Sequence, residues 1–417
     1  MKFENYPVSQ EIKNNLEALG FKRPTDIQFK AIPSIQKGED VLAIAQTGTG
    51  KTAAFAIPLI DRIHRDKSSK RSRGIQCIVM VPTRELALQI GGVFTELSRH
   101  TRVKAFALHG GVEQDPQIKK LQDGIDILIA TPGRMFDLIS QGYIHVEAVN
   151  TLVLDEADHM LDLGFINDIV QVKKKLVRKH QTLFFSATIS DEIKKLAYSQ
   201  VNSSAIRIQI SPDDPVSRNV THYVMSVTMD DKRFFLERFI NDHPGSKILV
   251  FVRTRVRAER VAKAMERAGI TALTLHGEKD QALRTQTLDL FRRGESRLLI
   301  ATDVSARGID IPDIAYVVNY DLPDKAENYV HRVGRTGRGV NKGIAVSFCA
   351  PEENEHLQEV EAFINKPIEV IDISRGDYQE TLESTASEDK DLKTMILAFE
   401  EESARKRKKH KPGKTRS

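Results

Sequence analysis

The chain has 417 residues, 40% of them hydrophobic and 29% charged, a length for two or three ordinary domains and the composition of a soluble globular protein. No apolar run approaches the eighteen or so residues of a membrane span, and Met1-Lys2-Phe3-Glu4-Asn5 lacks a basic-then-apolar signal layout, so a cytoplasmic location and no membrane partner are expected. The net charge of +5 is uneven: without the eight basic residues Arg405, Lys406, Arg407, Lys408, Lys409, Lys411, Lys414 and Arg416 the balance is −3.

Taken in chain order, the first element is an apolar strand, Val41 to Ile44, followed by Ala45-Gln46-Thr47-Gly48-Thr49-Gly50-Lys51-Thr52 and an Ala-rich helical stretch. Short apolar or β-branched runs then recur at Cys77 to Val81, Ile125 to Ala130, Thr151 to Leu154 and Thr182 to Phe185, a spacing that predicts buried parallel strands joined by helices. Near Ile210 the pattern stops at Ser211-Pro212-Asp213-Asp214-Pro215, whose prolines break helix and central strand alike and mark a flexible linker. A second series follows, with strands at Lys247 to Val252, Arg297 to Ala301, Tyr316 to Asn319 and Gly343 to Phe348. The expected organisation is an α/β unit over residues 1–208, a linker over 209–218, a second α/β unit over 219–370, and an acidic then basic tail over 371–417. The tail reads as disordered apart from a short helical piece, Leu392 to Phe399, and its basic end suits either solubility or phosphate contact. Cys77 and Cys349 lie in apolar strand runs far from any histidine cluster, as small core residues do.

Strand, glycine loop and helix together form the context of a phosphate-binding loop. Gly48 and Gly50 let backbone N–H groups turn toward phosphate oxygens, and the helix N-terminus adds a favourable dipole. Lys51 can reach the β and γ phosphates, and the Thr52 hydroxyl can ligate magnesium. The loop departs from the usual pattern by beginning with Ala45 instead of glycine. Asp155 and Glu156 follow the strand Thr151 to Leu154 at the sheet edge where ligands collect. Alone they would suit a solvated helix start; behind a phosphate loop, Asp155 suits Mg2+ and Glu156 suits the attacking water.

Asp155-Glu156-Ala157-Asp158 resembles the motif that names the DEAD-box RNA helicases, and roughly residues 3–348 are similar to that family motif by motif. Gly20-Phe21-Lys22-Arg23-Pro24-Thr25-Asp26-Ile27-Gln28 resembles the Q motif, with Phe3 at the upstream aromatic position, so Phe21 is expected to stack on adenine and Gln28 to hydrogen-bond its edge. The first strand of the second unit ends in Phe251-Val252-Arg253-Thr254, without a phosphate loop, so that unit offers arginines instead. His331-Arg332-Val333-Gly334-Arg335-Thr336-Gly337-Arg338 resembles motif VI, which casts Arg335 and Arg338 as stabilisers of the transferring phosphoryl group. Ala306-Arg307-Gly308-Ile309-Asp310 resembles motif V, and Gly308 and Asp310 are expected at the ribose. Ser186-Ala187-Thr188 resembles motif III, whose hydroxyls would reach Asp158 or His331; the competing reading is a helix N-cap supplied by Thr188 or Ser190.

The remaining clusters, Pro82-Thr83-Arg84, Gly110-Gly111 and Thr131-Pro132-Gly133-Arg134, resemble motifs Ia, GG and Ib and carry the chemistry of sugar–phosphate contact. Arg253, Gly277, Gln281, Arg284, Thr302 and Asp303 match family positions that continue the track. With no Trp and eight Tyr in the chain, stacking platforms are scarce and RNA recognition is expected to be sequence-independent and salt-sensitive. The resemblance implies two tandem RecA-like domains, each with a mostly parallel central sheet flanked by helices, that close on ATP, Mg2+ and RNA. It implies local unwinding of short duplexes or remodelling of RNA–protein complexes, in ribosome assembly or RNA turnover by analogy with short bacterial members. Rival readings are a DNA-translocating helicase on the same fold and an ATP-gated RNA clamp with little unwinding.

Overall fold

Runs of Val, Ile, Leu and Ala too apolar for either face to meet water pair into two parallel sheets in the computed structural model, which describes residues 2–46, 48–69, 71–210, 219–306, 311–337 and 342–383. The first sheet contains β1 (Val41–Ile44), β2 (Cys77–Met80), β3 (Ala105–Leu108), β4 (Ile127–Ala130), β5 (Thr151–Leu154), β6 (Gln181–Ser186) and β7 (Ile206–Gln209). Its order is β3-β4-β2-β5-β6-β1-β7, every pair parallel. The second contains β8 (Val220–Ser226), β9 (Lys247–Phe251), β10 (Ala272–Leu275), β11 (Leu298–Ala301), β12 (Ile314–Asn319), β13 (Gly343–Cys349) and β14 (Glu369–Ile371). Its order, β10-β11-β9-β12-β13-β8-β14, repeats that of the first sheet strand for strand.

Each sheet is the middle layer between helices. On one face of the first sheet, Phe55 of the helix Lys51–Asp66 packs 5.2 Å from Phe185 of β6 and 6.0 Å from Phe94 of the helix Arg84–Leu97. On the other face Ile78, Leu128, Leu152 and Phe184 are covered by Met135, Met160, Ile169 and Ile193 from four later helices. Parallel strands send all their C-terminal ends to one edge, and the order places those of β5, β6 and β1 side by side. At about 4.8 Å per strand, residues leaving β5 and β1 start roughly 10 Å apart, within reach of the two ends of a triphosphate.

The nine strands expected from sequence are present within two residues at either end. Both cysteines are free and buried, and burial pushes the Cys77 thiol up to about 12 and the Cys349 thiol to about 11. Among the described residues no helix is long and apolar enough to cross a membrane. The ordered chain continues past residue 370: residues 375–383 are helical, with the Tyr378 ring 4.8 Å from Phe235 and its hydroxyl donating to Asp231 Oδ2 at 2.8 Å. The linker residues 211–218, and the helix and basic arm expected beyond residue 383, lie outside the described residues.

Two adjacent glycines in the helix Arg84–Leu97 make a matched test of its packing on β3. A Cβ at Gly91 would lie 2.7 Å from Ala107 Cβ, whereas one at Gly92 would meet nothing within 4 Å. Gly91→Val is expected to lose about 2 kcal/mol in urea denaturation through overpacking, and Gly92→Ala to gain about 0.5–1 kcal/mol from helix propensity.

Candidate active site

The turn out of β1 is shaped by Gly50, which has φ +91° and caps the helix Lys51–Asp66. A side chain there is excluded twice, by that left-handed backbone and by Gln28 Nε2, 2.4 Å from where a Cβ would stand. Gln28 Nε2 donates to Gly50 O at 3.1 Å, and Gln28 Oε1 accepts from Thr25 N at 3.0 Å, closing a capping box at the start of the helix Asp26–Gln36. The amide therefore clamps the loop and still has one N–H and one lone pair for a ligand. Phe21 is half-buried, edge-on to the buried Phe3 with ring centres 6.0 Å apart. Gly48 also takes positive φ, and Thr49 Oγ1 donates to Gln46 O at 2.8 Å. Lys51 Nζ is buried with no hydrogen-bond acceptor among the described residues, the state of an ammonium shaped to meet an anion. Thr52 follows it, half-buried; Thr47 lies outside the described residues.

Past the end of β5, Asp155, Glu156 and Asp158 are each 3–6% exposed. Glu156 has φ +51°, a left-handed conformation that costs a non-glycine residue about 1–2 kcal/mol, and it precedes the helix Ala157–Asp162. Burial pushes the Asp155 carboxyl up to about 6; Lys51 pulls it down and Glu156 adds to the rise. Burial acts on Glu156 in the same direction, but the His159 ring beside it, then the charges of Arg335 and Lys51, hold it well below the usual carboxylate range. His159, 1% exposed, has Nδ1 3.6 Å from Glu156 Oε2 one turn on. Three buried carboxylates thus face one lysine on their own side of the cleft, a deficit of positive charge that a divalent cation beside Asp155 and Thr52 would remove.

The opposite wall comes from the second sheet's helix Ala326–Val333 and the turn after it. His331 Nε2 lies 3.7 Å from Asp158 Oδ2, and Arg335, 3% exposed, donates from Nε to His331 O at 3.0 Å. Asp158 Oδ2 also accepts from Ala187 N, Thr188 N and Thr188 Oγ1 at 2.9–3.0 Å, while Ser186 Oγ donates to Thr188 O at 2.8 Å. Burial would raise the Asp158 carboxyl, yet His331 and Lys51 bring it below its ordinary value. The two readings of this turn separate cleanly: Thr188 serves Asp158, and Ser190 caps the helix Asp191–Gln200 by accepting from Ile193 N. Arg338, Gly308 and Asp310 lie outside the described residues.

The expected backbone-contact residues line the same edge of both sheets, but several are engaged within the protein. Arg84 lies over Gly110 and Gly111; a Cβ at Gly111 would fall 2.0 Å from its Nη1. Thr83, after the buried Pro82, caps the helix Arg84–Leu97, and Thr131 and Gly133 start the helix Pro132–Ser140. Arg134 donates to Val112 O at 3.0 Å. Gln281 and Arg284 cross to the first domain: Arg284 Nε donates to Glu85 Oε1 at 2.7 Å, Gln281 Nε2 to the same oxygen at 3.3 Å, and Arg84 to Gln281 Oε1 at 3.4 Å. Asp303 accepts two bonds from Arg332 at 2.6 and 2.7 Å, Arg253 donates to Glu353 at 3.1 Å, and Thr302 Oγ1 donates to Ser305 Oγ at 3.4 Å. Gly277 follows β10 on the surface turn after His276. The sequence reading passed over Glu85, His159 and Arg332; His159 carried a signal in its three-residue spacing from Glu156, whereas Glu85 and Arg332 find their partners only through tertiary structure.

A family model described as DEAD/DEAH box helicase matches residues 25–196, and one described as helicase conserved C-terminal domain matches residues 231–340. The DEAD-box ATP-dependent RNA helicase CshA of Bacillus cereus is 37% identical over 89% of this chain and 69% of its own. The ATP-dependent RNA helicase RhlB of Shewanella oneidensis is 39% identical over 90% of this chain and 86% of its own. Dbp5 of S. cerevisiae bound to RNA and ADP BeF3 superposes with a TM-score of 0.82 at 29% identity, over 93% of this chain and 99% of that one. A Dbp5 variant bound to Nup159, Gle1, IP6 and ADP, 27% identical and covered over 92% and 100%, reaches 0.60.

The Glu85–Arg284 pair, each side chain under 10% exposed, exists only while the two sheets face each other. Arg284→Ala leaves Glu85 buried without its cation in that arrangement and is expected to weaken closure by about 2 kcal/mol, roughly thirty-fold. Donor and acceptor dyes on the two domains, with ATP analogue and RNA present, measure it; an unchanged closed fraction would show the pair to be incidental.

Proposed function

The chain belongs to the DEAD-box ATP-dependent RNA helicases, and on that premise we propose that its two RecA-like domains, residues 1–208 and 219–370 about the linker 209–218, hydrolyse ATP in the cleft while gripping RNA by its backbone. The observation that carries this reading is the placing of Glu156: a buried, ionised carboxylate in left-handed backbone, reached by Lys51 of its own domain and Arg335 of the other. A base for water and a cation for departing charge come together there from two domains, so turnover needs closure.

In this proposal Phe21 stacks on adenine and Gln28 reads its edge with the N–H and lone pair left over from the loop clamp. The backbone of Thr47, Gly48, Thr49 and Gly50 cradles the phosphates and Lys51 neutralises the β and γ groups, which supplies its buried ammonium with acceptors. Mg2+, held by Thr52 and Asp155, would supply charge neutralisation across the phosphates. Glu156 accepts the proton of the attacking water, His159 fixing its carboxylate. Arg335 and Arg338 stabilise the γ-phosphoryl group, and Gly308 and Asp310 hold the ribose. Asp158, Ser186, Thr188 and His331 carry the state of the cleft between domains.

RNA runs over Pro82, Thr83, Arg84, Gly110, Gly111, Thr131, Gly133 and Arg134, then Arg253, Gly277, Gln281, Arg284, Thr302 and Asp303. Arg284, Gln281 and Asp303 shape this track through their protein partners, and Arg84 and Arg134 face the phosphates. Contact without base readout suits separation of short duplexes or remodelling of RNA–protein complexes, the kind of work that cytoplasmic ribosomal or RNA-degradation complexes would require.

Glu156→Gln preserves shape and removes the base. It is expected to lower RNA-stimulated ATP turnover about 10²–10⁴-fold, with RNA binding in ATP retained; turnover at the wild-type level would show that Glu156 is not the base. Removing magnesium with a chelator is expected to abolish turnover in a steady-state phosphate-release assay, and readdition to restore it. Stimulation by DNA equal to that by RNA would defeat the choice of RNA as substrate.

A further inference from the structure

We infer that the outer face of the helix Arg255–Arg267 is a second RNA-backbone site, outside the cleft, that takes the strand as it leaves the track at Arg253; the inference rests on the helicase reading above. The inner face of this helix, Ala258, Val261, Ala262 and Met265, is buried. Its outer face borders a groove of about 430 Å³ lined by Thr254, Arg257, Arg260, Lys263 and Arg267 and floored by Tyr320, with no carboxylate in the lining. Arg257 is already committed, its Nε 3.0 Å from Asp321 Oδ1. Arg260, Lys263 and Arg267 make no ion pair among the described residues; Arg267 Nε donates to Lys263 O at 3.3 Å, which leaves both charges uncompensated.

These three cations recur at i, i+3 and i+7, spanning roughly 10 Å of helix at about 1.5 Å per residue. That is the axial run of about three phosphates of one strand at about 3.4 Å each. They form a local concentration on a protein whose balance is −3 once the eight basic residues of the C-terminal arm are set aside. The Tyr320 floor is a neutral phenol and repels no phosphate. Thr254 begins the groove immediately after Arg253, so the stripe is continuous in space with the proposed track.

The full chain carrying Arg260→Glu, Lys263→Glu and Arg267→Glu tests the site with two RNAs, one of about ten nucleotides that fills the cleft and one of about forty. For the long RNA, Kd is expected to weaken at least about ten-fold at low salt, and the slope of log K against log salt to fall by about two. Affinity for the short RNA and the ATP turnover it stimulates should stay within about two-fold of the unmodified chain, and the corresponding triple alanine variant should fall between the two. Unchanged long-RNA affinity overturns the proposal, and so does an equal loss for both RNAs. If deleting the acidic stretch 384–402 raises RNA affinity in the unmodified chain but not in the charge-reversed one, the stripe holds that segment instead and the proposal also fails. Absence of RNA-stimulated turnover in the unmodified chain would sink the helicase reading itself, a result the variants cannot mimic.

Discussion

Asp158 Oδ2 is the point where the two halves of the molecule share one atom. Three donors from the turn after β6 converge on it, and His331 of the second domain approaches from the other side. The oxygen is buried, so each donor counts: an ionised carboxylate in that position without them would be expelled or protonated. Because its neighbours in the chain are Asp155 and Glu156, any shift of His331 is felt three residues from the proposed chemistry. The coupling between the domains is therefore short and polar, and it does not depend on long-range deformation of either sheet.

The two sheets share one strand order and differ in what they hang on it. After β1 the first carries a glycine turn clamped by Gln28, with a buried lysine behind it whose Nζ has no hydrogen-bond partner among the described residues. At the matching position of the second, β8 runs into a turn with no phosphate loop, and the cation that unit presents to the cleft, Arg335, follows the helix Ala326–Val333. In the proposed reading neither half holds a complete site, and the two contribute to one at their junction. Its strain is local too: Glu156 adopts a backbone conformation unfavourable for its side chain, sustained by the buried packing around β5 and β6.

Strands with apolar residues on both faces announced themselves in the sequence, and so did the phosphate loop and the acidic run after β5. The missed strands have weaker patterns for a physical reason. β3, β7, β10 and β14 are at sheet edges, where one flank needs no burial, and Ile206 to Gln209 and Glu369 to Ile371 are largely exposed. β8 alternates buried and exposed residues and follows a proline-rich stretch that masks its start. Roles in the site were legible where a side chain acts on a ligand through its own chemistry, as for Lys51. They were not legible where the partner is another distant side chain: Arg284 and Asp303, expected on the RNA track, also hold Glu85 and Arg332.

The Glu85–Arg284 contact also sets how the molecule responds to heat. In the separated arrangement both groups are hydrated, and bringing them to under 10% exposure strips that water away. Hydration of charged groups becomes less favourable as temperature rises, so this part of the cost of closure shrinks on warming and grows on cooling. A cleft fastened by buried charge thus weakens in the cold in the same direction as one fastened by apolar surface, but from the rising cost of stripping water from ions and not from a fading solvent-driven attraction. The contact makes chilling a load on the closing step itself, separate from any slowing of the chemistry inside.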